Sequence, residues 1–204
     1  MISAVVLAAG EAKRMGMGQA KLLLPWQGKT ILEHVLDQLL HSQVDEIILV
    51  LGHEAKQMRE KIPAQGIKIA INPDYQEGMS ASLRQGLMII DEKAEAFLVV
   101  LGDQPGISKE IINQLIQAFH HPRHPKGIIL PTYRGIRGHP VLFSSQYRKE
   151  VLKLKGDVGG RQILKDHPEE ILELEMNTDA VLYDLDTPED YKEYLKRAFP
   201  GEGN

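Results

Sequence analysis

Short runs of Val, Ile and Leu recur along the first 130 residues, at 4–7, 46–51, 67–71, 97–101 and 128–130, and stretches with a different periodicity lie between them. Runs of that length and composition suit strands buried on both faces. The intervening stretches carry helical stripes: Ile31, Val35, Leu36, Leu39 and Leu40 form one, and Ile111, Ile112, Leu115, Ile116 and Phe119 form another. Alternation of strand and helix implies right-handed βαβ crossovers and an α/β fold with a mostly parallel sheet. Ligands of such sheets bind beyond the carboxyl ends of the strands, so chemistry is sought there.

Helix starts carry their own chemistry. Thr30 precedes Glu33 by three residues, and Thr187-Pro188-Glu189-Asp190 sets a cap, an N1 proline and early acids together. After residue 130 the pattern becomes irregular, with a Gly-containing hairpin over 133–140, a strand at 141–143, a short helix and a Gly-rich turn at 156–160. We read this as an elaboration over the active-site face, within a single domain spanning 1–204. Its length of 204 residues is within reach of one core. The tail 200–204 is expected to fray.

Composition excludes several classes. The 24 basic and 28 acidic residues are interspersed, with no basic run to track a nucleic acid, so no nucleic-acid partner is expected. The chain has no cysteine, which rules out disulfides, thiolate metal sites and cysteine nucleophiles. The apolar start at 2–9 lacks a basic flank and is too short to span a bilayer, so it reads as a strand. No membrane association and a cytoplasmic location are expected.

The first strand runs into LAAGEAKRMGMGQAK, residues 7–21, where Gly10, Gly16 and Gly18 stand beside Arg14 and Lys21. Small residues let backbone N–H groups approach a phosphate, and the two cations add fixed charge. Taken alone the stretch reads first as a flexible connection with incidental charge, but its place after the first strand of a parallel sheet, where anions bind, and its two cations favour the phosphate reading. In LGDQP, residues 101–105, Asp103 falls at the carboxyl end of a buried strand, where it suits either Mg²⁺ or a turn before Ser108. Ser80, in Gly78-Met79-Ser80-Ala81-Ser82, reads first as a helix cap, with the helix start near a nucleotide as the functional reading. The prolines among His120, His121 and His124 break metal-ligand spacing, so that tract reads as a solvated loop. His53 also reads as a loop residue, whereas His139 reads as functional.

Taken together, the LAAG loop with Arg14 and Lys21, GMSASL (78–83), GDQP, GHP (138–140), GDVGGR (156–161) and DLDTPED (184–190) resemble the molybdenum-cofactor nucleotidylyltransferases, most nearly their cytidylyltransferase branch. The resemblance covers nearly the whole chain. It implies a Rossmann-like, three-layer α/β/α nucleotidyltransferase fold, with 1–130 as the NTP-binding half and 131–204 as the acceptor-binding elaboration and C-terminal helix. It also implies transfer of CMP from CTP to molybdopterin with release of pyrophosphate. A molybdenum hydroxylase is the expected recipient of the product.

Carried over by motif, Leu7, Ala8, Ala9, Gly10, Arg14, Lys21, Gly78 and Ser80 would hold the nucleotide, with Arg14, Lys21 and Asp103 catalytic. Asp103 and Asp186 would hold Mg²⁺, while Arg137, His139, Asp157 and Arg161 would face the cofactor substrate. The guanylyl-transferring relatives typically carry glycine where this chain has Ala9, so the extra methyl is expected to narrow the base pocket toward CTP. The same NTP half could serve another acceptor, such as a sugar phosphate or phospholactate. A non-catalytic, nucleotide-gated cofactor carrier is the reading from another class.

Overall fold

The computed structural model describes residues 1–11, 21–62, 65–123 and 125–198. The expectations for Arg14, Gly16, Gly18, His124 and the tail 200–204 lie outside the described residues. In chain order the elements are β1 (Ile2–Ala8), β2 (Pro25–Trp26), β3 (Lys29–Thr30), α1 (Ile31–Leu40), β4 (Glu46–Leu51), α2 (Ala55–Lys61), β5 (Ile67–Ile71), α3 (Met79–Met88) and β6 (Ala96–Leu101). There follow α4 (Lys109–Phe119), β7 (Ile128–Tyr133), β8 (Ile136–Arg137), β9 (Val141–Ser144), α5 (Arg148–Val151), α6 (Arg161–Asp166), β10 (Ile171–Glu175) and α7 (Pro188–Ala198).

The main sheet runs β10-β7-β9-β6-β1-β4-β5, with β8 paired to β7. β1 pairs in parallel with β4 and β6, β4 with β5, and β7 with β10, while β9 is antiparallel to both β6 and β7. Alternate residues of the strands feed two cores. Ala4, Val6 and Ala8 of β1 join Ile47, Leu49 and Leu51 of β4 against α1 and α4. Val5, Ile48 and Val50 face the other way, onto Leu83 and Leu87 of α3. That two-sided burial is why these strands read as continuous apolar runs, and it makes three layers.

Two expectations need correction. β5 is an edge strand, with Lys68 and Ile71 exposed, so its apolar run is not buried on both faces. The segment read as an elaboration also supplies β8, β9, β10 and the last residues of β7, so it extends the sheet itself rather than only covering the active-site face. The capping chemistry stands as expected: the Thr30 hydroxyl accepts from Glu33 N–H while Glu33 accepts from Thr30 N–H. Likewise the Thr187 hydroxyl accepts from Asp190 N–H, and Asp190 accepts from Thr187 N–H.

Candidate active site

The carboxyl ends of β1 and β6 lie side by side, tied by Gly102 N–H donating to Leu7 O at 3.0 Å. Beyond them Lys21 opens a short 3₁₀ turn, and its side chain is only 9% exposed. Its ammonium donates to Asp103 Oδ2 at 2.7 Å and to Asp186 Oδ1 at 3.2 Å. Burial works to lower the Lys21 pKa, but the neighbouring charges of Asp103 and Asp186 outweigh it and the pKa is raised. Residues from three distant parts of the chain thus converge. The Asp103 carbonyl accepts from Leu185 N–H at 3.1 Å, which fixes the DLDTPED segment against the GDQP turn.

A cavity of about 90 Å³ adjoins this cluster, lined in part by Leu7, Ala8, Gly10, Lys21 and Asp103. His53 and Glu54 also line it, although His53 reads from sequence as an ordinary loop residue. Both follow β4, and it is the pairing of β4 with β1, a feature of the fold and not of the local sequence, that brings them here. Ala9 is absent from the lining. Its carbonyl accepts from His53 N–H at 3.1 Å, and a Cβ built on Gly52 would lie 2.8 Å from the Ala9 methyl. The methyl therefore lies against the turn that follows β4.

Ser80 is not the cap of α3. The N-cap is Gly78, with φ 100° and ψ −176°, and Ser80 lies inside the first turn with its hydroxyl buried. The orphan donors of this turn are met from a remote loop: Met79 N–H donates to Asp157 Oδ1 at 2.9 Å and Ser80 N–H to Gly156 O at 3.2 Å. Only glycine fits at 78, because a Cβ there would lie 2.8 Å from Asp157 N in a backbone region that disfavours side chains. Asp157, expected to face the acceptor, thus caps α3 and joins the GMSASL and GDVGGR motifs.

His139 donates its backbone N–H to Val181 O at 2.9 Å, and its Nδ1 is buried with no hydrogen-bond partner among the described residues. Burial lowers its pKa, the Arg161 charge lowers it further and Asp103 opposes the shift, so His139 lies within electrostatic reach of both. Arg137 is turned to the surface, bound through its guanidinium to Glu173 at 2.7 and 2.8 Å. Sequence reasoning passed over Asp184, whose carboxyl pKa is raised by local burial and by the charge of Asp103, although the residue as a whole is exposed.

Asp103 and Asp186 bring carboxylate oxygens to either side of the Lys21 ammonium, and hard oxygen donors of this type are those a divalent cation takes alongside phosphate and water. Among the described residues no group of three or more His, Cys, Asp or Glu converges as a complete metal cage. No helix among them is long and apolar enough to cross a membrane.

The chain is similar to known proteins along nearly its whole length. The chain is 30% identical over 196 residues to Nicotine blue oxidoreductase of Paenarthrobacter nicotinovorans, covering 92% of this chain and 93% of that protein. It is also 30% identical over 193 residues to Molybdenum cofactor cytidylyltransferase of Escherichia coli K12, covering 93% of each. The structure superposes on that of Rv0371c from Mycobacterium tuberculosis H37Rv in complex with manganese with a TM-score of 0.81, at 29% identity over 96% of this chain and 98% of the other. The model of the MobA-like NTP transferase domain matches residues 4–171, so the chain belongs to that family and is an enzyme of nucleotidyl transfer.

Proposed function

We propose that the chain transfers CMP from CTP to the terminal phosphate of molybdopterin or the molybdenum cofactor, releasing pyrophosphate. The observation that carries this reading is the Lys21 ammonium held between Asp103 and Asp186 beside the cavity at the end of β1. The similarity to a molybdenum cofactor cytidylyltransferase along nearly all of both chains supports the choice of acceptor and nucleotide. A phosphate oxygen of the acceptor attacks the α-phosphorus as the bond from that phosphorus to the α,β-bridging oxygen breaks, so pyrophosphate leaves with the electron pair. That oxygen is already ionised at neutral pH, and no catalytic base is needed.

The chain's residues remove anion repulsion and fix the line of attack. Lys21, and Arg14 from the glycine-rich loop, neutralise the leaving pyrophosphate, while His139 and Arg161 face the acceptor. Mg²⁺ on Asp103 and Asp186 would supply Lewis-acid charge to the phosphate oxygens, worth several kcal/mol of barrier. Residues 1–130 serve the nucleotide and 131–204 the acceptor, with Asp186 crossing back to the nucleotide side. The product passes to a molybdenum hydroxylase in the cytoplasm.

The test is release of pyrophosphate from CTP, and from GTP in parallel, with and without molybdopterin. Asp103→Asn keeps the turn but removes a metal-binding charge, and is expected to lower turnover at least ~100-fold in a folded protein. Near-normal turnover would remove Asp103 from the machinery. A second reading rests on the equal identity to Nicotine blue oxidoreductase, and is favoured if the protein turns over a redox substrate without consuming any NTP.

A further inference from the structure

The three charged side chains of the site come from separate segments, so something must hold those segments in register. The chain places an anchor to α7 close to each. Tyr191 Oη donates to Pro25 O at 2.6 Å, four residues after Lys21. Tyr194 packs over Gly106, three residues after Asp103, so closely that a Cβ on Gly106 would lie 1.7 Å from its hydroxyl oxygen. The Asp190 carboxylate accepts from the backbone N–H of Asp186 at 3.2 Å, within the capping turn of α7. Tyr194 also lies against Trp26, with ring centroids 5.2 Å apart, and burial raises its pKa to about 12.

We infer that α7 is a clasp, with Tyr191 and Tyr194 as positioning residues that set the Lys21 ammonium against the Asp103 and Asp186 carboxylates. Neither tyrosine touches the reacting atoms. An ordinary surface helix would need only its apolar face against the core. Here the two tyrosines on one face of α7 reach the two loops that carry the opposite charges, and its first turn holds the third. Glycine at 106 is required because any side chain there would displace Tyr194. The inference rests on the proposed nucleotidyl transfer for its kinetic readout, but its structural readout does not.

Three variants of the full chain test it: Tyr191→Phe, Gly106→Ala and the double variant Gly106→Ala/Tyr194→Phe. Tyr191→Phe loses a single hydroxyl, and should lower kcat about 10-fold with KM for the NTP within about twofold, since misplacement acts on the transition state more than on binding. Gly106→Ala should lose more. The double variant should recover part of that loss, because the 1.7 Å clash is with the hydroxyl while the next ring atom is 3.0 Å away. A kcat for Tyr191→Phe equal to wild type, or a double variant no better than Gly106→Ala, overturns the clasp.

Two readouts remain if the wild-type chain releases pyrophosphate from no NTP, which would defeat the functional reading alone. One is hydrogen exchange at the Leu185 amide, bound to Asp103 O. The other is emission from Trp26, the one tryptophan in the sequence. Faster Leu185 exchange and shifted emission in Tyr191→Phe support the clasp, and unchanged values overturn it.

Discussion

Lys21 shows how little of a charged site is decided by a residue type alone. A buried lysine ordinarily loses its proton more readily, yet two carboxylates hold this one charged, so its contribution to stability is in full force throughout neutral pH and is lost only as pH rises through the elevated pKa. His139 is the opposite case. Its folded pKa lies below the ordinary value of about 6.5, so the stability it confers is present above that value and is lost as pH falls through the folded pKa. His139→Gln is therefore expected to show a smaller fall in Tm between pH 7 and pH 5 than wild type, measured by thermal unfolding at each pH. Equal slopes would assign the acid sensitivity elsewhere, for instance to His34, whose pKa burial also lowers. Lys21 and Asp103 were legible from sequence because each closes a small-residue segment after an apolar run. His53 and Glu54 were not, since nothing in Gly52-His53-Glu54 reveals that β4 would lie beside β1.

Among the elements, α1 and α7 announce their own beginnings, because a capping box is written within four consecutive residues. The start of α3 is different: Gly78 offers no side chain, and the acceptor for Met79 N–H arrives from Asp157, 78 positions later. Sequence reasoning could assign the cap only to a nearby hydroxyl, and chose Ser80. Asp157→Ala is expected to cost about 1 kcal/mol, the usual magnitude for a lost cap, and to lower Tm by roughly 2–4 °C. Measuring the acceptor KM on the same variant separates two roles. A fall in Tm with unchanged KM makes Asp157 purely a cap, whereas a raised KM shows that the loop also meets the acceptor.

At the scale of the molecule, the order of strands and the pairing of distant charges act together. Chelating divalent metal is expected to abolish pyrophosphate release while leaving Tm within about 2 °C, because the Lys21 ammonium already compensates both carboxylates. A collapse of Tm on chelation would give the metal a structural role. The parallel core was legible because it is buried on both sides, and the strand at 141–143 was legible too, but its insertion between β6 and β7 was not, since a short run carries no sign of which strands it will pair with. That insertion bears on synthesis at the ribosome. When residue 101 emerges, β6 has β1 on one side and an open edge on the other, and its neighbour is still some forty residues away. Among the described residues, β7, β8 and β10 reach the rest of the sheet only through β9. A nascent chain must therefore carry a bare apolar strand edge until residue 144 arrives, the kind of edge that invites aggregation. Residues 1–130 expressed alone should accordingly collect in the insoluble fraction on centrifugation. Any genetic splitting of this enzyme into a nucleotide half and an acceptor half has to cut elsewhere.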